Sequence, residues 1–206
     1  MNTQILPADS QSGIARALET LQAGELVAFP TDTVYGLGAL AFDGNAILSL
    51  YIAKNRPVEK AIPVLIGDRT DLNQVADNIP EMARRLSLRF WPGPLTLVVP
   101  KKPGLPEAIS STNTVGIRMP DHPGALALLR AAGPLAVTSA NLSGSDSPTT
   151  AEEVFAQLGA RIALILDGGK TPGGIPSCVV DCTGLEPVLL REGPLSFDEV
   201  QRAAAK

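Results

Sequence analysis

Short apolar runs recur along this chain, each three to five residues long and each stopped by proline, glycine or a polar cluster. They fall at 26–29, 62–66, 95–99, 115–119, 135–137, 162–166, 178–180 and 188–190. Runs of that length bounded by turn residues read as buried strands, being too short for helices. Helical stripes lie between several of them. Ile14, Ala17, Leu18 and Leu21 share one face of a helix over 11–23, which Gly24 stops. A helix over 45–53 carries Ile47, Leu48 and Tyr51 inward and ends before Pro57, and further helices are expected over 80–90 and 124–131. Thr150 with Glu153 and Ser196 with Glu199 have capping-box spacing and mark two more helix starts. Some strands are linked through helices and others directly, so the expectation is an α/β fold of the mixed kind: a twisted, open mixed sheet flanked by helices. No polar linker or composition shift divides the chain, and residues 1–206 are expected to form one domain.

Composition removes several classes. With 45% hydrophobic and 18% charged residues, the chain has enough apolar surface to build a core and is not of the disordered type. A net charge of −4 argues against broad nucleic-acid binding, which needs a strongly basic face or tail. Cys178 and Cys182 would stand about 13 Å apart on one strand, too far for a mutual disulfide. No stretch approaches the roughly 18 apolar residues of a membrane span, and no targeting segment is visible, so a cytoplasmic location is expected.

Three familiar sites fail on spacing. Gly169-Lys170-Thr171 looks like the end of a phosphate-binding P-loop, but Leu164 occupies the position of the required first glycine. Gly36 and Gly38 lack the third glycine of a dinucleotide fingerprint, where Ala41 stands. His122 is the single histidine, which excludes a multi-histidine metal site and points to a capping or surface role. The residue pattern expects no metal held by protein ligands.

What survives is chemistry for anions. Lys54 and Arg56 lie within one turn at a helix end, with Lys60 beyond Pro57. Phosphate oxygens need such charge, lysine as a compact ion and arginine as a planar fork. A solvated basic face is the other reading of the same residues. Ser139-Ala140-Asn141 follows an apolar run and should emerge at a strand end, where ligands of open sheets bind. Arg118 sits inside a strand pattern, so it requires either an anionic partner or a solvent-facing pleat.

The segment Phe29-Pro30-Thr31-Asp32-Thr33-Val34-Tyr35-Gly36-Leu37-Gly38 resembles the amino-terminal signature of the YrdC-like threonylcarbamoyl-AMP synthases. It is followed in order by Lys54-Asn55-Arg56-Pro57, Gly116-Ile117-Arg118-Met119-Pro120, Ser139-Ala140-Asn141, Ser177-Cys178-Val179-Val180-Asp181 and Arg191-Glu192-Gly193. The resemblance spans nearly the whole chain. It implies a sheet around a basic concave cavity and a nucleotidyltransferase that turns L-threonine, bicarbonate and ATP into threonylcarbamoyl-AMP and pyrophosphate. Magnesium would arrive with ATP. The product would feed a tRNA threonylcarbamoyl transferase complex acting next to the anticodon, with room for a weak tRNA contact. By motif, Lys54 and Arg56 would be catalytic. Lys54, Arg56, Lys60, Thr114, Asn141, Thr149 and Arg191 would contact the nucleotide. Thr33, Arg118, Ser139 and Ser177 would hold threonine. Some members place a histidine in the strand after the lysine-arginine segment, where this chain has Leu65 or its neighbours. The chain also ends soon after Arg191, so no additional carboxy-terminal domain is expected.

Two other functions fit parts of the pattern. A carbamoyl-adenylate-forming relative would use carbamoyl phosphate without threonine, usually within a larger multidomain protein. A non-catalytic RNA-binding or ribosome-associated module would use the same basic concavity for a phosphate backbone and would show strongly salt-dependent RNA binding without turnover.

Overall fold

A computed structural model describes residues 2–205. In chain order the elements are β1 (Gln4–Pro7), α1 (Gln11–Gln22), β2 (Val27–Phe29), β3 (Gly36–Leu40), α2 (Gly44–Lys54), β4 (Val64–Leu65), α3 (Leu72–Val75), α4 (Glu81–Phe90), β5 (Leu95–Pro100) and β6 (Thr114–Arg118). They continue with α5 (Pro123–Ala132), β7 (Leu135–Ser139), α6 (Ala151–Leu158), β8 (Leu164–Asp167), β9 (Cys178–Asp181), β10 (Val188–Arg191) and α7 (Phe197–Ala204). The strands form one sheet in the order β1-β8-β2-β3-β7-β4-β6-β5-β9-β10. It is mixed: β1 with β8, β8 with β2, β4 with β6 and β5 with β9 run parallel, and the other neighbours run antiparallel.

Side-chain alternation sorts the sheet into two cores, because successive residues of a strand point to opposite faces. On β2 and β8, Val27, Phe29, Leu164 and Leu166 pack with Ala17 and Leu21 of α1 and Leu128 and Leu129 of α5. The intervening Ala28 and Ile165 belong to the other core, with Ile47 and Leu50 of α2 and Val154 and Leu158 of α6. Helices on both faces thus bury the central strands twice, which is why those runs are apolar throughout.

Local signals place most element ends. Ser196 and Glu199 form the expected capping box at α7. At α6 only half of the box forms: Thr150 caps Glu153 N–H, while the Glu153 carboxylate reaches one residue further back, to Thr149 N–H at 2.6 Å. His122 takes the capping role at α5, its Nδ1 accepting from Ala125 N–H at 3.3 Å. Cys178 and Cys182 are both free and buried. Asn55 ends α2 in a left-handed conformation (φ 51°) that asparagine tolerates.

Two expectations change, and one strand was not foreseen. Leu48 does not face inward; it is 46% exposed. Helical geometry groups Ile47, Leu50, Tyr51 and Lys54 on one side and turns Leu48 about 100° away from Ile47. The run at 62–66 yields a ladder of only Val64–Leu65, as Pro63 has no N–H to extend it. The edge strand β1, ending in proline and mostly exposed, carried no alternation to announce it.

Candidate active site

The same alternation that builds the core builds a cavity. Along β5, β6 and the approach to β9, Leu95, Leu97, Val115, Ile117, Cys178 and Val180 lie in the core. The residues between them, Thr96, Val98, Gly116, Arg118, Ser177 and Val179, line a cavity of about 350 Å³. Thr31, Thr33, Tyr35 and Gly36 close it from the β2–β3 link, Val137, Thr138 and Ser139 from the end of β7, and Arg56, Leu65, Leu190 and Arg191 from the remaining sides. Gly116 keeps the floor open: a Cβ there would press on Thr96 Cγ2 at 3.2 Å. The volume falls in the range of small-molecule sites.

Arg118 is buried, with three anchors. Its Nε donates to Gly93 O at 3.0 Å, its Nη1 to Thr33 Oγ1 at 3.0 Å and its Nη2 to the Asp32 carboxylate. Burial pushes its pKa below the ordinary arginine value, and Asp32 opposes that shift. Asp32 is fixed in turn by Asp121 N–H at 3.0 Å. Thr33 Oγ1 shares a further hydrogen bond with Thr31 Oγ1 at 3.0 Å, and Thr31 donates to Val34 O at 2.7 Å. Of the two alternatives for Arg118, an anionic partner or an outward pleat, the first holds: Arg118 has a carboxylate partner and faces the cavity.

Arg191 reaches the site from β10. Its Nε and Nη2 donate to Ser177 O at 3.0 and 2.8 Å, and Nη2 also to Ser177 Oγ at 3.1 Å. Ser177 Oγ shares a 2.8 Å hydrogen bond with Thr96 Oγ1. Arg56 is held by the carbonyls of Lys60 and Ala61 at 3.3 and 3.0 Å. Burial lowers the pKa of both arginines, but a guanidinium stays charged at any physiological pH. Among the described residues neither has a carboxylate at ion-pair distance.

Lys54 departs from its expected place. It is 1% exposed, absent from the cavity lining, and its ammonium donates to Ser139 O and Asn141 O from behind the turn that follows β7. Burial, with Arg56 adding repulsion, lowers its pKa to about 7. The cause is the phase of α2, which puts Lys54 on the inward face, while the left-handed Asn55 redirects the chain so that Arg56 meets the cavity. Lys60 is exposed. Thr114 bonds to Thr112 Oγ1, Thr149 is tied to Glu153, and Asn141 Nδ2 donates to Leu142 O and Ser145 O. None of these four lines the cavity, although Asn141 Oδ1 is buried without a hydrogen-bond partner in its vicinity.

Residues 168–176 form a loop fastened beside the site. Tyr35 OH donates to Gly169 O at 2.8 Å and accepts from Gly168 N–H, Thr171 N–H donates to Thr149 O, and Gly174 N–H donates to Thr33 O at 2.8 Å. Burial raises the Tyr35 pKa to about 12, so its phenol remains a donor. Asp32, Thr96 and Tyr35 were not assigned from the sequence. The one readable signal was Thr96, a lone hydroxyl within the apolar run at 95–99. Among the described residues no three His, Cys, Asp or Glu side chains gather as a metal-holding group, and no helix is long and apolar enough to cross a membrane.

A mixed sheet carrying a concave site of three arginines and seven hydroxyl side chains defines a class of α/β protein whose cavity is suited to small anionic ligands. Comparison with known proteins specifies it further. The family model Sua5/YciO/YrdC, described as "Telomere recombination", matches residues 19–193, and the chain belongs to this family. It is 48% identical to a threonylcarbamoyl-AMP synthase of Bacillus subtilis over 91% of this chain and 55% of that protein. It is 43% identical to a putative threonylcarbamoyl-AMP synthase of Mycobacterium tuberculosis over 94% of this chain and 90% of that one. Among solved structures, Pyrococcus abyssi Sua5 complexed with L-threonine superposes with a TM-score of 0.95 at 43% identity, covering 98% of this chain and 61% of that one. Escherichia coli YciO superposes with a TM-score of 0.86 at 29% identity, covering 95% of this chain and 98% of that one. The chain spans little more than half the length of the Bacillus subtilis and Pyrococcus abyssi synthases.

Proposed function

We propose that this chain is a threonylcarbamoyl-AMP synthase, joining L-threonine, bicarbonate and ATP into threonylcarbamoyl-AMP with release of pyrophosphate. The observation that carries the reading is the division of the cavity. Arg56 and Arg191 present uncompensated guanidiniums, while Thr33, Arg118, Ser139 and Ser177 supply a compact hydroxyl and guanidinium set. The first pair suits the phosphates of ATP, and the second suits the carboxylate, amine and hydroxyl of threonine. The likeness to synthases and to a threonine-bound relative supports the same assignment.

In this reading threonine's amine condenses with bicarbonate, losing water, to give a carbamate. A carbamate oxygen attacks the α-phosphorus of ATP, and the bond to the β-phosphate oxygen breaks as pyrophosphate leaves. The protein positions the two reactants and stabilises charge on the phosphates, through Arg56 and Arg191, without a covalent intermediate. Lys54 supports from behind: by holding Ser139 O and Asn141 O it fixes the turn that presents Ser139. Lys60, Thr114, Asn141 and Thr149 would serve the nucleotide only after some movement toward it. The described lining contributes no carboxylate, and Asp32 beside it is committed to Arg118, so magnesium travels on the triphosphate as part of the substrate. The mixed anhydride formed is an activated acyl donor, consistent with hand-over to a tRNA-modifying transferase in the cytoplasm.

Isotope exchange tests the reading. Labelled pyrophosphate should enter ATP only when threonine and bicarbonate are both present; exchange that needs neither, or that occurs with carbamoyl phosphate in place of both, would refute it.

A further inference from the structure

We propose that Asp32 is a specificity-determining residue: by neutralising Arg118 it makes one end of the cavity electroneutral and reserves polyanions for the Arg56–Arg191 end. The threonine half of this inference rests on the function proposed above; the polyanion half rests on geometry alone.

Three guanidiniums line one cavity of about 350 Å³. Arg191 is near enough to Arg118 to lower its pKa further by like-charge repulsion. Such a cluster would ordinarily act as a single sink for phosphates, since closely spaced cations on low-dielectric walls reinforce one another. Among the described residues, only Arg118 of the three has a carboxylate at ion-pair distance. The Asp32 carboxylate binds its Nη2, and the same carboxylate oxygen is locked by Asp121 N–H at 3.0 Å, so the pair is built into the wall. Thr33 Oγ1 and Gly93 O occupy two further guanidinium donors. Of the five N–H groups of an arginine, these three bonds leave two, one on each Nη. The Arg118 end therefore offers directional hydrogen bonds without net charge. That suits a single carboxylate, which needs a fork of donors. It discriminates against a triphosphate, whose binding rises with each uncompensated cation.

The test is isothermal titration of the full chain with inorganic tripolyphosphate and, separately, with L-threonine. Asp32→Asn keeps the size of the side chain and unmasks Arg118. Tripolyphosphate should then bind at least about fivefold more tightly, while threonine affinity changes less, so selectivity moves toward the polyanion. The double variant Asp32→Asn/Arg118→Gln removes an electroneutral unit and should bind tripolyphosphate within about twofold of the parent. Unchanged tripolyphosphate affinity in Asp32→Asn overturns the proposal, and so does a loss of about tenfold or more in the double variant, which would show that Arg118 already holds polyanions in the parent. If Asp32→Asn does not fold, the double variant decides alone. A parent that binds tripolyphosphate but not threonine would sink the synthase reading and leave the charge-masking result to stand or fall separately.

Discussion

Replacing Lys54 with methionine should abolish a specific pH dependence of stability. In the folded chain burial holds the Lys54 ammonium at about 7, against an ordinary value of 10.5. Between those values the unfolded chain carries a proton that the folded chain has released, so stability rises with pH across the interval at up to about 1.4 kcal/mol per unit. Below pH 7 both states are protonated and the full penalty of about 5 kcal/mol is present. From pH 7 to 8.5, allowing for half-protonation at the lower limit, the parent should gain about 2 kcal/mol from this one residue. That is roughly half a molar or more in the urea midpoint. Lys54→Met fills similar space, carries no proton and leaves the carbonyls of Ser139 and Asn141 short of a donor, a pH-independent cost of about 1–3 kcal/mol each. The sign of the difference at any single pH is therefore uninformative, while its slope is diagnostic. Burial also raises the pKa of Cys178 and Cys182, but both chains share those groups and subtraction removes them. Urea unfolding of parent and variant at pH 7.0, 7.5, 8.0 and 8.5 should give a parent-minus-variant stability that climbs steadily. Parallel profiles would show that Lys54 is not the buried, partly neutral lysine described above.

Three further substitutions separate binding from folding. Arg56→Gln removes an uncompensated cation whose anchors are only the carbonyls of Lys60 and Ala61, so ATP affinity by titration should fall about tenfold or more while the melting temperature moves little. Gly173→Ala would push a Cβ to 2.8 Å from Asp32 O and 2.9 Å from Thr33 Cα, both backbone; steady-state kinetics should show a raised KM for threonine with a smaller change for ATP. Ser196→Ala breaks the capping box of α7, away from the cavity, and should cost about 1 kcal/mol, lowering the melting temperature by about 2–4 °C with turnover intact.

Much of the fold could be read from short-range pattern. The apolar runs became strands because nothing else buries three to five such residues between breakers, and α4, α5 and α7 followed their stripes and caps. The strand order could not be read, since parallel partners such as β5 and β9 are far apart in sequence and their pairing depends on what the intervening segments can span. At the site, the ordered motifs identified Thr33, Arg118, Ser139, Ser177, Arg56 and Arg191, all of which line one cavity. Lys54 differed because a basic residue at a helix end reads as exposed, and only the phase of α2 relative to the sheet turns it inward. Asp32 went unassigned because its role needs Arg118, 86 residues away, to be brought against it.

The synthase reading is tested most directly by mass spectrometry of the full chain incubated with ATP, magnesium, L-threonine and isotopically labelled bicarbonate, omitting each in turn. The account predicts labelled threonylcarbamoyl-AMP and pyrophosphate, dependent on every component and diminished in Arg56→Gln. Folded, ATP-binding protein that forms no adduct, or forms one without threonine, would contradict it.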